Sequence, residues 1–368
     1  MCVQSKNKPI FLAICYDFDK TLTHTDMQNQ GFIQSLGYNI DEFWESSNSL
    51  AVHNKMDQNL AYMYSMLELS KGKFYITKKS LKEYGKKISL YNGVKDWFKR
   101  INDYGKEHNV IVEHYIISSG LKEIIEGTSI ASEFEKIYAS SFYYDEADVA
   151  QWPAQVVNYT DKTQYLFRIE KGVLDVNDQS VNNYLSPNKI KIPFRNIVYI
   201  GDSATDIPCM KLVNINGGHS IGVFNPEDEN KERVFSLLNE NRIKYFAAAD
   251  YSSESQLESL VKKIINRTAA NEALESFHYE CIDLKDRETK AQDANFKKRQ
   301  KLINRLEDSR TYATTHSVIA ELKEIEKDEW EPSEIRRLFE IREKNSQVSA
   351  IRKDSDVERF FNSLPNKK

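Results

Sequence analysis

Three short, continuous apolar runs, each ended by a polar or glycine-containing turn, constrain this chain more than any other feature. PIFLAICY (9–16) leads into DFDKT, NVIVEHYII (109–117) into SSG, and NIVYI (196–200) into GDSATD. Runs of this length, rich in β-branched and aromatic residues and without strict polar alternation, suit strands buried on both faces, the condition of a parallel sheet covered by helices. SIGVFNP (220–226) repeats the pattern, and helical stretches separate the runs. The expected fold is therefore α/β, a Rossmann-like parallel sheet. Ligands of open α/β sheets bind outside the carboxyl ends of the strands, where these turns fall.

About 85 residues separate the first two runs, far more than one crossover helix needs. They include QNLAYMYSMLELSKGK and ITKKSLKEYGKKI, with apolar residues at helical spacing, and read as an inserted helical cap. KIYASSFYYDEADVAQWPAQVVNY (136–159) alternates as a β-hairpin with DEAD at its turn, ahead of a helix opened by Thr160-Asp161. From Cys281 to Lys368 the chain is glycine-poor and carries 20 Lys or Arg and 18 Asp or Glu, the texture of helices with solvated faces. Helix starts are expected at Asp293, Thr314-Thr315 and Pro332-Ser333. Leu302, Ile303, Leu306, Ile319, Leu322, Ile325, Leu338 and Ile341 form apolar stripes that must pack on the core, a second copy or a partner protein. The expected organisation is a discontinuous core (1–23 and 105–255), a helical cap (24–104) and a helical C-terminal region (256–368).

Composition narrows the function classes. With 40% hydrophobic residues and a formal net charge of -4, the chain is globular and has no electrostatic footprint for nucleic acid or an anionic membrane. No run approaches the roughly 20 apolar residues of a membrane span, and the first run is too short and too acidic at its end for a signal peptide, so a cytoplasmic protein is expected. Cys2, Cys15, Cys209 and Cys281 form no CxxC pair, which argues for reduced thiols and against a thiolate zinc site. The seven histidines show no HxH or HExxH spacing, and GxSxG, P-loop and GxGxxG are absent, leaving zinc hydrolase, serine esterase and nucleotide-loop readings unsupported.

What remains is acidic. Asp17 and Asp19, two apart in extended geometry, point the same way at the end of the first run. Ser118-Ser119-Gly120 precedes LKEIIEG, which reads as the first turns of a helix, so Ser118 is either an N-cap or part of an anion site. Gly201 permits close backbone approach, and Asp202 and Asp206, four apart, share one helical face or cap a helix. Lys162 lies between the last two groups, with Lys171 as a rival.

In this order, DxDxT, serine, lysine and GDxxxD, the residues resemble the four motifs of the haloacid dehalogenase-like (HAD) hydrolase superfamily. The likeness spans residues 9 to about 226, and the insertion after the first motif resembles the phosphoserine-phosphatase-like class with a helical cap. The resemblance implies that Asp17 is the nucleophile of an aspartyl-phosphate intermediate and that Asp19 is general acid and then base. It implies that Ser118, with Ser119 and Gly120, binds phosphate, and that Lys162 offsets charge at the nucleophile. Asp17, Asp19 (through its main-chain carbonyl), Asp202 and Asp206 would form the metal site. Asp26, at the entrance to the cap, is either a substrate-reading residue or a helix N-cap. Converging carboxylates raise one another's pKa unless cations hold them ionised, and oxygen ligands beside a phosphate suit Mg²⁺. Asp19 separates the chain from P-type ATPases and haloacid dehalogenases, which lack that acid. Lys20 and Ser119 stand where the family usually has glycine. The function so implied is a Mg²⁺-dependent phosphatase acting on a small phosphorylated substrate. The alternative is an adaptor or regulatory protein with a weakly active core, whose C-terminal helices recruit a partner or a second copy.

Overall fold

The computed structural model describes residues 9–227, 231–326 and 330–365. They divide into two compact units, Met1–Glu275 and Ser276–Lys368.

The first unit is built on seven strands: β1 (Ile10–Tyr16), β2 (Val110–Leu121), β3 (Lys136–Tyr144), β4 (Ala150–Gln155), β5 (Ile197–Gly201), β6 (His219–Phe224) and β7 (Tyr245–Ala248). Their order is β4-β3-β2-β1-β5-β6-β7, parallel throughout except for the β3–β4 hairpin, whose turn is the DEAD segment. Helices α1 (Phe32–Ser35), α2 (Ile40–Asn54), α3 (Gln58–Ser70), α4 (Lys78–Gly85) and α5 (Val94–Glu107) follow β1, and α5 packs on β2. The short α6 (Lys122–Glu126) follows β2, while α7 (Asp161–Lys171), α8 (Ile207–Ile215), α9 (Glu232–Asn239) and the start of α10 (Gln256–Glu307) complete the layers.

Successive residues of a strand face opposite sides of the sheet, and in β1 both sides are filled. Leu12, Ile14 and Tyr16 enter one hydrophobic cluster, with Trp97 and Phe98 of α5 and Leu257, Val261 and Ile265 of α10. Ala13 and Cys15 enter the other, with Leu166 and Ile169 of α7 and Met210 of α8. That double burial is why the first run shows no polar alternation. Register then aligns the strand ends: Tyr16 lies beside both Ile116 and Ile200, and the Asp17 N–H donates to the Ile200 carbonyl at 2.9 Å.

Three local expectations need correction. β2 runs on through Ser118, Ser119 and Gly120 to Leu121, so the N-cap of α6 is Leu121 and not Ser118; the extension pairs with β3 across an irregularity between Ile117 and Leu121. No helix starts at Asp293, because α10 continues through it. The next helix, α11 (Tyr312–Lys323), is capped by Thr311, whose side chain accepts the Thr314 N–H, so Thr314 and Thr315 lie inside it. The Pro332 start is observed, at the first position of α12 (Pro332–Lys344).

The second unit has its own core. Leu302, Ile303 and Leu306 of α10 meet Val318, Ile319 and Leu322 of α11, Leu338 and Ile341 of α12, Val348 of α13 (Ser346–Ala350) and Phe360 and Phe361 of α14 (Ser355–Ser363). The apolar stripes thus pack on one another. Within this core Arg299 and Glu334 form a buried ion pair at 2.9 Å, and Gln300 also donates to Glu334 at 2.9 Å, so neither charge lacks a partner.

Candidate active site

The ends of β1 and β5 bring Asp17, Asp202 and Asp206 together, with one carboxylate oxygen from each lying within 4.8 Å of the others. Asp17 and Asp206 are buried and Asp202 is half-buried. A lysine bridges two of them. Lys162, on the first turn of α7 after Thr160, is fully buried and donates to Asp17 Oδ1 at 3.0 Å and to Asp206 Oδ1 at 2.7 Å. Lys171 points elsewhere and donates to the Val181 and Asn183 carbonyls at 2.6 and 2.8 Å.

Asp206 is saturated. Oδ1 also accepts the Tyr199 hydroxyl at 2.8 Å, and Oδ2 accepts the Ser203 N–H at 3.1 Å and the Ser203 hydroxyl at 2.9 Å. Its carboxylate is pinned so tightly that a Cβ on Gly201 would meet Asp206 Oδ2 at 2.6 Å, which explains the glycine. Ligand capacity at the cluster therefore resides mainly in Asp17 and Asp202.

Asp19 is oriented by the cap entrance. Its Oδ1 accepts the Met27 N–H at 2.7 Å. A Cβ on Gly120 would meet Asp19 Oδ2 at 2.8 Å and the end of Met27 closer still, so the glycine lets the β2 extension pass against the acid. Ser118 is fully buried, its hydroxyl oxygen accepting the Gly120 N–H at 3.0 Å. The Ser119 carbonyl accepts the hydroxyls of Tyr62 at 2.9 Å and Ser140 at 3.1 Å, while its own hydroxyl oxygen is buried without a partner. Lys20 has φ 57, the left-handed region that costs a non-glycine residue about 1 kcal/mol, which explains why glycine suits that position. Its ammonium pairs with Asp26 at 2.8 Å. Asp26 is the N-cap residue of a 3₁₀ turn at Met27–Asn29 but makes no side-chain capping bond.

The electrostatics follow from burial. Desolvation and the Asp206 charge push Asp17 up to about 7 against the pull of Lys162. Burial, then the charges of Asp26 and Asp17, hold Asp19 well above the usual carboxylate range, opposed by the Met27 N–H. Burial would depress Lys162, but Asp17 and Asp206 outweigh it and keep its ammonium charged. One buried cation thus faces three acids, a set that an added hard cation would balance.

Tyr199, Met27 and Tyr62 supply contacts to this site that no sequence spacing marks. Tyr62 sits among apolar residues at helical spacing on α3 and is buried, and its hydroxyl reaches the β2 extension. Its neighbours Met63 and Met66 are core residues, and Tyr64 is exposed.

The family model described as haloacid dehalogenase-like hydrolase matches residues 14–211. A curated relative from Borreliella burgdorferi, described as an uncharacterized protein, is 27% identical over 276 residues, covering 67% of this chain and 93% of that one. Among solved structures, a HAD family hydrolase from Salmonella enterica serovar Typhi is 16% identical at a TM-score of 0.47, covering 71% of this chain and 73% of that one. A substrate-bound phosphoserine phosphatase is 14% identical at a TM-score of 0.45, covering 70% and 99%. No helix of the described residues is long and apolar enough to cross a membrane.

Proposed function

The chain belongs to the haloacid dehalogenase-like hydrolases, and from that premise we propose that it is a phosphomonoester hydrolase, dependent on Mg²⁺, that works through an aspartyl-phosphate on Asp17. The observation that carries this reading is Lys162, held between Asp17 and Asp206 at the carboxyl edge of the sheet, with Asp19 oriented separately by the Met27 N–H.

The donor set fits the metal. Asp17 and Asp202 offer hard carboxylate oxygens, the Asp19 main-chain carbonyl would be a third ligand, and the cluster holds more negative charge than Lys162 balances. Bound there, Mg²⁺ would neutralise phosphoryl oxygens and keep Asp17 ionised.

The chain's own residues supply the rest. Lys162 fixes the Asp17 carboxylate, so its attack on phosphorus starts from one orientation. As the Asp17 oxygen bonds to phosphorus, the bond to the leaving oxygen breaks and Asp19 delivers its proton there. An acid with a raised pKa suits that role. In the second half a water attacks phosphorus, Asp19 takes the proton back, and phosphate leaves Asp17 as a free carboxylate. Ser118, with the main chain of Ser119 and Gly120, binds phosphoryl oxygens. Asp206 acts as a positioning group for Lys162. The cap, expected over residues 24–104 and carried by α1 to α4, selects the leaving group, with Asp26 at its entrance reading the substrate.

Phosphate release from p-nitrophenyl phosphate and from a panel of small phosphomonoesters tests the reading. Release that requires MgCl₂, stops with EDTA and is lost in Asp17→Asn is expected. Release in the presence of EDTA, or an undiminished rate in Asp17→Asn, would overturn it.

A further inference from the structure

β7 is the last strand of the sheet, with α9 packed on one face and the start of α10 on the other, and along its edge these three elements leave a groove of about 350 Å³. That volume suits a small ligand. Leu238, Tyr245, Phe246 and Leu260 form its apolar walls, all of them only half-buried, and no carboxylate lines it. Its cations are not spent within the protein. Lys244 gives one N–H to the Gly218 carbonyl at 2.6 Å, which leaves two of its three donors. Lys263 and, one turn farther along α10, Arg267 are exposed, and neither makes a hydrogen bond or an ion pair among the described residues.

The charge is uncompensated. Burial and then the Arg267 charge lower the pKa of Lys244, and no acid opposes them. His219, stacked on Tyr245 at 6.0 Å, is buried, and its Nδ1 has no partner among the described residues. Its pKa too is lowered by burial and then by Lys244 and Arg267. Three cations gathered beside an apolar wall with no acid among them repel one another until an anion arrives.

We propose that this groove binds a small organic phosphate, its head between Lys244, Lys263 and Arg267 and its apolar body against Leu238, Phe246 and Leu260. Three positive charges are balanced better by a phosphate, which carries about two negative charges, than by a carboxylate with one. The site is separate from the acidic one. His219 opens β6 and Tyr245 opens β7, so the groove lies toward the amino ends of parallel strands whose neighbours β1 and β5 lead into the acids at their carboxyl ends.

Titration calorimetry of phenylphosphonate into the full chain in EDTA tests this, since the acids at the opposite edge then lack a metal and repel an anion. The P–C bond keeps the probe intact under any phosphatase activity. Saturable binding is expected, about tenfold or more tighter than that of inorganic phosphate, which has no apolar body to bury. Lys263→Glu with Arg267→Glu should weaken it by about tenfold or more without lowering the melting temperature, because both side chains are exposed, and Lys263→Arg should retain it. Ser259→Trp, which fills the groove from an exposed position on α10 at constant charge, should also weaken it. Binding that survives Lys263→Glu with Arg267→Glu and also Ser259→Trp would lie elsewhere and overturn the proposal, as would the lack of any binding at millimolar phenylphosphonate. Phenylphosphonate bound no more tightly than inorganic phosphate would overturn the organic ligand.

Discussion

Lys162 Nζ stands 3.0 Å from Asp17 Oδ1, a contact between two buried charges contributed by α7 and the turn after β1, 145 residues apart in sequence. Breaking a buried pair by removing one partner strands the other charge, which costs about 3–5 kcal/mol. Lys162 serves Asp17 and Asp206 alike, so Lys162→Met is expected to fall in that range on urea unfolding, and to lose turnover. An unchanged midpoint would show that the carboxylates relax at no cost, and the positioning role of Lys162 would fail.

Asp19 is held by Met27 and not by the lysine, so its substitution has a different signature. Asp19→Asn keeps an acceptor for the Met27 N–H but has no proton to exchange, and general acid–base loss is typically worth about 10²–10⁴-fold. The deficit should be larger for an alkyl phosphate than for p-nitrophenyl phosphate, whose leaving group needs the proton less. Equal deficits on both substrates would contradict the acid role.

Mg²⁺ should raise the melting temperature of the wild type, because a cation that binds only the folded state stabilises it by about 2.7 kcal/mol at a hundred times its Kd. Asp202→Ala should lose most of that increment. The same thermal shift in both proteins would remove Asp202 from the metal site.

His114 sets an acid limit away from the chemistry. It is buried on β2 between the Tyr16 hydroxyl at 3.0 Å and Asn102 Oδ1 at 3.1 Å, and burial lowers its pKa to about 3. With the folded value below the ordinary value of about 6.5, the unfolded chain takes up a proton that the folded chain refuses. Stability therefore falls as pH drops from about 6.5 toward 3, by up to about 1.4 kcal/mol per unit from this group. His114→Asn should flatten the acid limb of a stability–pH curve. A limb as steep as that of the wild type would assign the slope elsewhere, His219 being the next candidate, with its pKa lowered to about 4 chiefly by burial.

The sequence made the ends of β1 and β5 legible because a doubly buried strand carries an unbroken apolar run, and the turn after it stands out by contrast. Asp17, Asp19, Asp202 and Asp206 could be read from that contrast. The DEAD turn and the Thr160 helix start were legible for the same reason, as local chemistry. The contacts that orient the acids were not. The Met27 N–H on Asp19, Tyr199 on Asp206 and Tyr62 on the Ser119 carbonyl are set by how the cap and sheet close, which no local period encodes. Ser118-Ser119-Gly120 resembled a turn and proved to be strand, because β3 pairs again with Leu121 beyond the irregularity. The C-terminal stripes announced burial without naming what covers them, and the answer for Leu302, Ile319 and Leu338 is one another.

The central claim is that Asp17 becomes covalently phosphorylated. Acid quenching during turnover of p-nitrophenyl phosphate with MgCl₂, followed by peptic digestion and mass spectrometry, tests it most directly. A peptide containing Asp17 heavier by one phosphoryl group is expected, enriched in Asp19→Asn, where hydrolysis of the intermediate is slowed, and absent in Asp17→Asn. Steady phosphate release with no phosphorylated Asp17 in either the wild type or Asp19→Asn would contradict it.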